Sequence, residues 1–374
     1  MNAGRGGREL STAQMASGLA EMGHEVTVVC QDGDVPSDKV RLEKLGRRGV
    51  FRLQRLNAFL SDAQDALSTG AYDVVHTTLP MRVANVYQPR GGTIPGQIDA
   101  STRRWGLAGG LRRHVFEKLN VCRAKLGQLE REIAGDPNVR CLAVSRMVAE
   151  EFSRYYGRAN GVTVVYNGVD LPVIDDEDWK HWRQQHRYDL GVGRNDTVFI
   201  SVAGNFALKG VDQLVRHYAK WRNKLGRDKN ARLIVVGKDV TEGYQRTANI
   251  HNVGREVLFV PPTKNIFEWY AAADACVLLS WYDPCSRTVL EAVRCGIPAV
   301  TTVYNGAAEV LAEGAGLVVD GPDDAVGVIA ALDELSDVAR RAEYAAACEA
   351  AADSVSMAEH VAGLDRVYRE VAGR

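Results

Sequence analysis

The stretch from Cys276 to Glu309 limits the possible folds of this chain more than any other. Cys276-Val277-Leu278-Leu279 is an apolar run with the length and flanks of a buried parallel strand. A turn follows at Tyr282-Asp283-Pro284, and Ser286 to Cys295 then runs at helical spacing with Leu290, Ala292 and Val293 toward the sheet. Gly296 stands as the C-cap residue and Pro298 stops the helix. A second apolar strand, Ala299-Val300-Thr301-Thr302, ends in Asn305-Gly306. Strand, loop, helix, strand is the repeating unit of a parallel α/β sheet, and the N–H groups at such a helix start form a site for phosphate. Asp283 lies before this helix and Glu291 inside it, so a sugar nucleotide with its diphosphate on the N–H groups would offer hydroxyls to both. Taken singly, Asp283 also reads as a helix cap and Glu291 as a solvated helical position.

A chain of 374 residues exceeds one typical core and suits two domains. The net charge of −1 hides an asymmetry: 23 Lys and Arg stand against 18 Asp and Glu through Asp170, and 23 against 29 beyond it. Such a split suggests different partners for the two halves. The seven Cys show no paired or metal-like spacing, and with no signal peptide they read as free thiols in a reducing cytoplasm. No apolar run approaches the ~18–20 residues of a membrane span.

Further along the chain, Gly6-Gly7 precedes a helix at 8–22 and the strand Val26–Cys30. Leu42 to Leu67 reads as strand or loop and then helix; Tyr72–Thr78 and Val83–Gln88 read as strands. His76, at a strand's C-terminal end where ligands of open α/β sheets bind, is either a polar contact or a structural histidine. Ser101 to Lys125 carries seven Lys and Arg against Glu117, interleaved with Trp105, Leu107, Leu111, Val115, Phe116 and Leu119. It reads as a segment for an anionic membrane surface or as a solvated helix; one basic segment argues only weakly for nucleic acid. The strand Val162–Tyr166 ends in Asn167-Gly168-Val169-Asp170. The strand Thr197–Ala203 enters Gly204-Asn205-Phe206-Ala207-Leu208-Lys209-Gly210, which places an ammonium beside a helix start at 211. Further strands are expected at 231–237, 257–262 and 314–319, with an Ala-rich helical region from 325 to the end.

Asp283…Glu291, Val289-Leu290-Glu291-Ala292, Gly296-Ile297-Pro298-Ala299 and Asn305-Gly306…Glu309 together resemble the signature of the retaining glycosyltransferases of the GT-B fold, family four. The first acid of the signature is Asp here rather than Glu, one methylene shorter. Asn167-Gly168-Val169-Asp170 is similar to the family's link between halves, and Lys209-Gly210-Val211-Asp212 brings the chain nearest to the lipopolysaccharide-core glucosyltransferase type.

The resemblance implies an α/β chain of two Rossmann-like domains facing a cleft. An acceptor-binding domain is expected over 1–166 plus 357–374, and a nucleotide-sugar domain over 167–356. Relatives open on a hydrophobic strand before Gly6-Gly7. That strand is missing here, which suggests a start codon assigned too far downstream or, less favoured, a reorganised sheet. By the same resemblance Gly6 and Gly7 admit substrate, and Gly204, Asn205, Ser286, Arg287 and Thr288 line the donor's diphosphate. Val260 and Pro262 hold the base, Glu291 the ribose and Asp283 the sugar. Lys209 carries the diphosphate charge, with Arg287 or Arg90 standing in for an Arg that relatives have and this chain lacks.

The expected reaction moves a hexose with retention from a nucleoside diphosphate sugar, UDP-sugar foremost, to a hydroxyl of a lipopolysaccharide- or glycolipid-type acceptor. No metal and no cofactor is expected. The protein is expected in the cytoplasm, docked on the inner face of the membrane through 101–125. A non-hydrolysing sugar-nucleotide epimerase and a silent sugar-nucleotide-binding protein are the alternatives. A Rossmann dehydrogenase is weaker, for want of a Gly-x-Gly-x-x-Gly after a strand.

Overall fold

A computed structural model describes residues 7–34, 37–70, 72–105, 110, 120–225 and 230–373. It divides into one unit of residues 1–168 with 356–374 and a second of 169–355. Most of the basic stretch at 101–125 lies outside the described residues.

The first unit begins with α1 (Gly7–Glu21), β1 (Val26–Cys30), β2 (Val40–Lys44), α2 (Arg52–Thr69), β3 (His76–Thr77) and β4 (Val86–Tyr87). It continues with α3 (Ile94–Arg104), α4 (Val121–Gly135), β5 (Arg140–Ala143), α5 (Arg146–Tyr156) and β6 (Val162–Val164). β1 pairs in parallel with β2, and β3-β4-β5-β6 form a separate parallel sheet; among the described residues no strand joins β1 to β3. The expected strand at 72–78 shrinks to two residues for a local reason. Asn85 Oδ1 accepts the Val75 N–H at 2.7 Å, so a side chain occupies the donor a longer ladder would use. The final helix, which we number α13 (Met357–Val371), returns to this unit. Its Met357, Val361 and Leu364 share a core with Met15 and Leu19 of α1 and with Val86 and Leu142.

The second unit holds α6 (Asp176–Asp189), β7 (Thr197–Ala203), α7 (Val211–Leu225), β8 (Ala231–Gly237), α8 (Glu242–Ile250) and β9 (Val257–Val260). After these come α9 (Phe267–Ala272), β10 (Ala275–Leu278), α10 (Arg287–Arg294), β11 (Ala299–Thr302), β12 (Gly316–Val319), α11 (Ala325–Ser336) and α12 (Val338–Ala351). Its six parallel strands lie in the order β12-β11-β10-β7-β8-β9. The chain runs outward from β7 through β8 to β9, then returns to β7's other side as β10 and runs outward again. The strand order therefore reverses between β7 and β10. A crevice opens beyond the carboxyl ends of strands at such a point. β7 is fully buried at Val198, Phe199 and Ile200, and β10 at every position, as a sheet covered on both faces requires.

The opposite end of the same strand pair is held by Asp274, whose side chain is 4% exposed. Arg187 Nη1 at 2.9 Å, Arg183 Nη2 at 2.7 Å and the Val198 N–H at 2.8 Å all donate to it. Burial alone would raise this carboxyl's pKa; Arg187 and Arg183 outweigh burial and hold it below the usual range. Asp274→Ala would strand the buried Arg187 guanidinium, 7% exposed, and is expected to cost about 3–5 kcal/mol in urea unfolding. A carboxylate with a depressed folded pKa stabilises above its unfolded pKa and loses that contribution as pH falls through the folded value. The gap between wild type and Asp274→Asn therefore narrows on acidification.

Candidate active site

The loops after β7 and β10 meet over the crevice, and the sequence shapes each for that approach. Asn205 Oδ1 accepts the Leu208 N–H at 2.9 Å and its carbonyl accepts the Lys209 N–H at 3.0 Å, which curls 205–209 into a turn. The Trp281 N–H donates to Leu208 O at 2.9 Å, tying this turn to the loop that follows β10. Gly210 has φ +65°, and a Cβ there would stand 2.1 Å from Leu279 O. Only glycine lets the start of α7 come so near the end of β10.

This approach sets the Lys209 ammonium on Asp283. Nζ donates to Oδ2, with the two side chains 18% and 13% exposed. Asp283 is itself fixed through its backbone, its N–H donating to Tyr304 O at 2.9 Å and its carbonyl accepting from the Gly306 N–H at 2.9 Å. Asp283 does not cap α10. The cap position is Ser286, which makes no side-chain cap, and no acid lies in the first turn of α10. A helix start with neither leaves its N–H dipoles for an anion.

Glu291, in the second turn of α10, is 15% exposed. Tyr270, fully buried in α9, donates its hydroxyl to Glu291 Oε2 at 3.3 Å, and Arg287 Nη2 reaches Oε1 at 3.5 Å. Burial pushes the Glu291 carboxyl above its ordinary range, while Arg287 and the two hydrogen bonds pull it back in part. Burial first, and Glu291 second, hold the Tyr270 hydroxyl protonated and able to donate.

Within the second unit the structure thus gathers Lys209, Asp283, Ser286, Arg287 and Glu291 around one helix start and one turn. Two expectations change there. Asn205 spends its amide oxygen shaping its own loop, and Thr288 donates its hydroxyl to Val202 O at 3.1 Å, docking α10 on β7. Gly204 follows β7, Val260 ends β9, and Pro262 is exposed beyond it.

The first-unit candidates belong to the other body. Gly6 lies outside the described residues, and Gly7 opens α1. Arg90, expected to meet the diphosphate, is 7% exposed with its guanidinium spent inside its own unit. Nη1 reaches Gln88 Oε1 at 3.1 Å and His360 Nε2 at 3.2 Å; Nη2 reaches Asn167 Oδ1 at 2.9 Å and Ser11 Oγ. It clamps chain ends together. His76 places Nδ1 2.6 Å from the Tyr368 hydroxyl, and burial, then the Arg90 charge, push its pKa down to about 3. That is a neutral structural histidine.

Two residues of the site escaped the sequence reading as side chains with a job. Asn305 is 1% exposed; its Oδ1 accepts the Ser286 N–H at 3.2 Å and the Ala307 N–H at 3.0 Å, while Nδ2 donates to Thr301 Oγ1 at 2.9 Å. It fixes where α10 begins. An Asn-Gly directly after a strand was the available signal. Tyr270 had none, because nothing local links it to a glutamate 21 residues on. Two Asp-x-Asp spacings, at Asp32/Asp34 and Asp176/Asp178, do occur, yet no three potential metal-ligand side chains gather among the described residues.

An α/β chain with a helix start, an ammonium and paired acids at the switch point has an arrangement compatible with the GT-B glycosyltransferases, and the comparisons give the family. Residues 5–172 match the family model described as Glycosyltransferase Family 4, and residues 183–352 the model described as Glycosyl transferases group 1. The chain belongs to these glycosyltransferases. A D-inositol 3-phosphate glycosyltransferase of Catenulispora acidiphila is 27% identical over 275 residues, 68% of this chain and 60% of that relative. The crystal structure of WaaG, a glycosyltransferase involved in lipopolysaccharide biosynthesis, superposes with TM-score 0.79 at 19% identity, covering 99% of this chain and 97% of that one. Anabaena HepE in complex with UDP-glucose gives TM-score 0.68 at 18% identity, covering 98% and 95%.

Glu291 gives the site a measurable signature. A carboxyl whose folded pKa exceeds its unfolded value stabilises below the unfolded pKa and loses that contribution as pH rises through the folded one. Glu291→Gln, which keeps the shape and cannot ionise, is therefore expected to gain Tm relative to wild type as the pH is raised from acid to neutral. A constant offset at all pH values in calorimetric melts would contradict this account of the buried acid.

Proposed function

We propose that the protein transfers a hexose, with retention, from a nucleoside diphosphate sugar to a hydroxyl of a lipopolysaccharide- or glycolipid-type acceptor. The observation that carries the reading is the convergence of Lys209, Asp283, Glu291 and the acid-free start of α10 where the strand order reverses. In this reading the diphosphate lies on the α10 N–H groups beside the Lys209 ammonium, Glu291 takes the ribose hydroxyls and Asp283 the hydroxyls of the sugar. The bond from the anomeric carbon to the phosphate oxygen breaks with its electron pair going to that oxygen. The acceptor hydroxyl bonds to the same face, and its proton passes to the departing phosphate. Lys209 and the helix dipoles stabilise the charge that grows on the leaving group. No metal ion is assigned a role.

A UDP-sugar donor is favoured by the HepE complex with UDP-glucose. The lipopolysaccharide-type acceptor draws on the likeness to WaaG, while the inositol phosphate relative points to a smaller one. A cytoplasmic location, with docking through 101–125 on an anionic membrane surface, fits the basic and aromatic composition of that stretch; no helix among the described residues is long and apolar enough to cross a membrane.

Calorimetric titration of UDP, GDP and ADP tests the donor site. One nucleotide is expected to bind in the micromolar range and to lose binding in Lys209→Ala and Glu291→Ala; no binding of any would sink the assignment. Asp283→Asn sharpens the test because it releases Lys209 from its resting partner. A partly buried pair worth about 1 kcal/mol implies UDP binding tighter by about fivefold in that variant. Sugar transfer should fall at the same time, because the sugar loses its carboxylate. Weaker UDP binding in Asp283→Asn would contradict the pairing.

A further inference from the structure

The sheet of the second unit ends in an open edge. β9 is the last strand in its order, and among the described residues no strand pairs with its outer side. A groove of ≈ 830 Å³ runs along that side, with Val257, Leu258 and Phe259 as its floor and with α8 and the end of α6 as its walls. None of the residues gathered around Lys209 and Asp283 lines it.

The backbone of this edge is almost closed. The Leu233 N–H of β8 donates to Glu256 O at 2.9 Å, and the parallel register of Leu233 with Val257 and Val235 with Phe259 leaves residues 257 and 259 facing outward. The Val257 N–H turns back to Val253 O at 3.1 Å, and Pro261 and Pro262, which follow the strand, have no N–H to offer. Within β9, Phe259 alone therefore presents both an N–H and a C=O to the groove. A strand of arbitrary sequence gains little from an edge with one complete residue. A second copy of β9 loses nothing by the shortage. Antiparallel about a two-fold axis through Phe259, each copy's Phe259 N–H meets the other's C=O, which closes a pair of bonds and leaves no donor over on either side.

The side chains around the groove suit the same partner. Leu258 is exposed within the strand, and so are Tyr188, Val240 and Ile250, the chain neighbours of the groove residues Asp189, Thr241 and Asn249. Large apolar side chains gathered at one open strand edge mark an interaction surface. The charges among them are of both signs. Glu242 and Arg246 on α8 and Arg255 before β9 are exposed and make no ion pair among the described residues. A nucleic acid or an acidic peptide would set like charge against Glu242. A two-fold copy inverts the pattern: it places the two α8 helices antiparallel on one side of the joined sheet, so the acid in the first turn of each runs toward the arginine-bearing turns of the other.

We propose that the chain forms a two-fold dimer through the edge of β9, with Phe259 on the axis and the two six-stranded sheets joined into one. Two backbone bonds and a small apolar rim make a reversible dimer of the micromolar class. The axis also fixes a second neighbour. Residue 258 of one copy lies diagonal to residue 258 of the other, about 7–8 Å away.

The test is sedimentation equilibrium of the full chain at about 100 μM, a concentration that fills a micromolar dimer. Wild type is expected at twice the monomer mass. Leu258→Lys and Leu258→Asp each set two like charges across the axis, so each variant alone is expected to associate at least about tenfold more weakly. An equimolar mixture of the two variants is expected to return to the dimer, because the diagonal pair is then of opposite sign. Tm measured on each dilute variant is expected to match wild type. Hydrogen exchange supplies a readout that needs no variant: the Phe259 amide is expected to slow as wild type is concentrated. A monomeric wild type would overturn the proposal and leave the groove to a different chain. A dimer that survives both substitutions, a mixture that stays monomeric, or a Phe259 amide indifferent to concentration would overturn it equally.

Discussion

The pairing of β7 with β10, in register at Phe199 with Ala275 and Ile200 with Cys276, is the constraint on which the second unit depends. These two strands are far apart in sequence and belong to opposite arms of the sheet, so their union fixes the crevice. Everything placed there follows from it. The turn 205–209 rests on Trp281, Gly210 clears Leu279 O, and Lys209 reaches Asp283 because the two loops lie side by side. At the opposite end of the strands Asp274 binds Arg183 and Arg187 of α6, so the same pair carries a structural ion cluster at one end and the candidate chemistry at the other.

The site holds charge at a cost. Glu291 sits where burial disfavours its ionised form, and the Tyr270 hydroxyl, which offsets burial in part, is shared with the Thr288 carbonyl at 3.3 Å. Lys209 and Asp283 neutralise each other. A ligand that brings phosphate to one and hydroxyls to the other would replace that pair rather than meet two free charges. Sites that bind substrate well are commonly places where the unliganded protein is less stable than it would otherwise be. Asn305 provides the rigidity such an arrangement needs, holding the start of α10 to the end of β11 through Thr301.

Much of this was legible in the chain because it is local. The apolar runs at 197–203, 231–237 and 276–279 read as strands, since a strand covered on both faces must be apolar at successive positions. Gly296 and Pro298 marked the end of α10, and Lys209-Gly210 the start of α7. The short strands of the first unit read less well. Asn85 takes over the Val75 N–H, and no run of residues announces that a side chain will replace a ladder. Arg90 shows the same limit. Its charge and its place after a strand suggested a diphosphate contact, whereas Ser11, Gln88, Asn167 and His360 converge on it from four places in the sequence.

The sequence by itself determined the element types, the parallel α/β class and the residues of the Asp283–Glu291 segment, because helical and strand periodicities, caps and breakers act within a few residues. Only the tertiary structure decided which charges are spent and which remain. It bound Asp283 to Lys209, gave Glu291 a tyrosine partner, turned Thr288 inward, closed Arg90 in a clamp and left Glu242, Arg246 and Arg255 along an open sheet edge. The physical reason is that a side chain's partner is set by distance in space. Burial then determines what that partnership is worth, and neither distance nor burial is a property of neighbours along the chain.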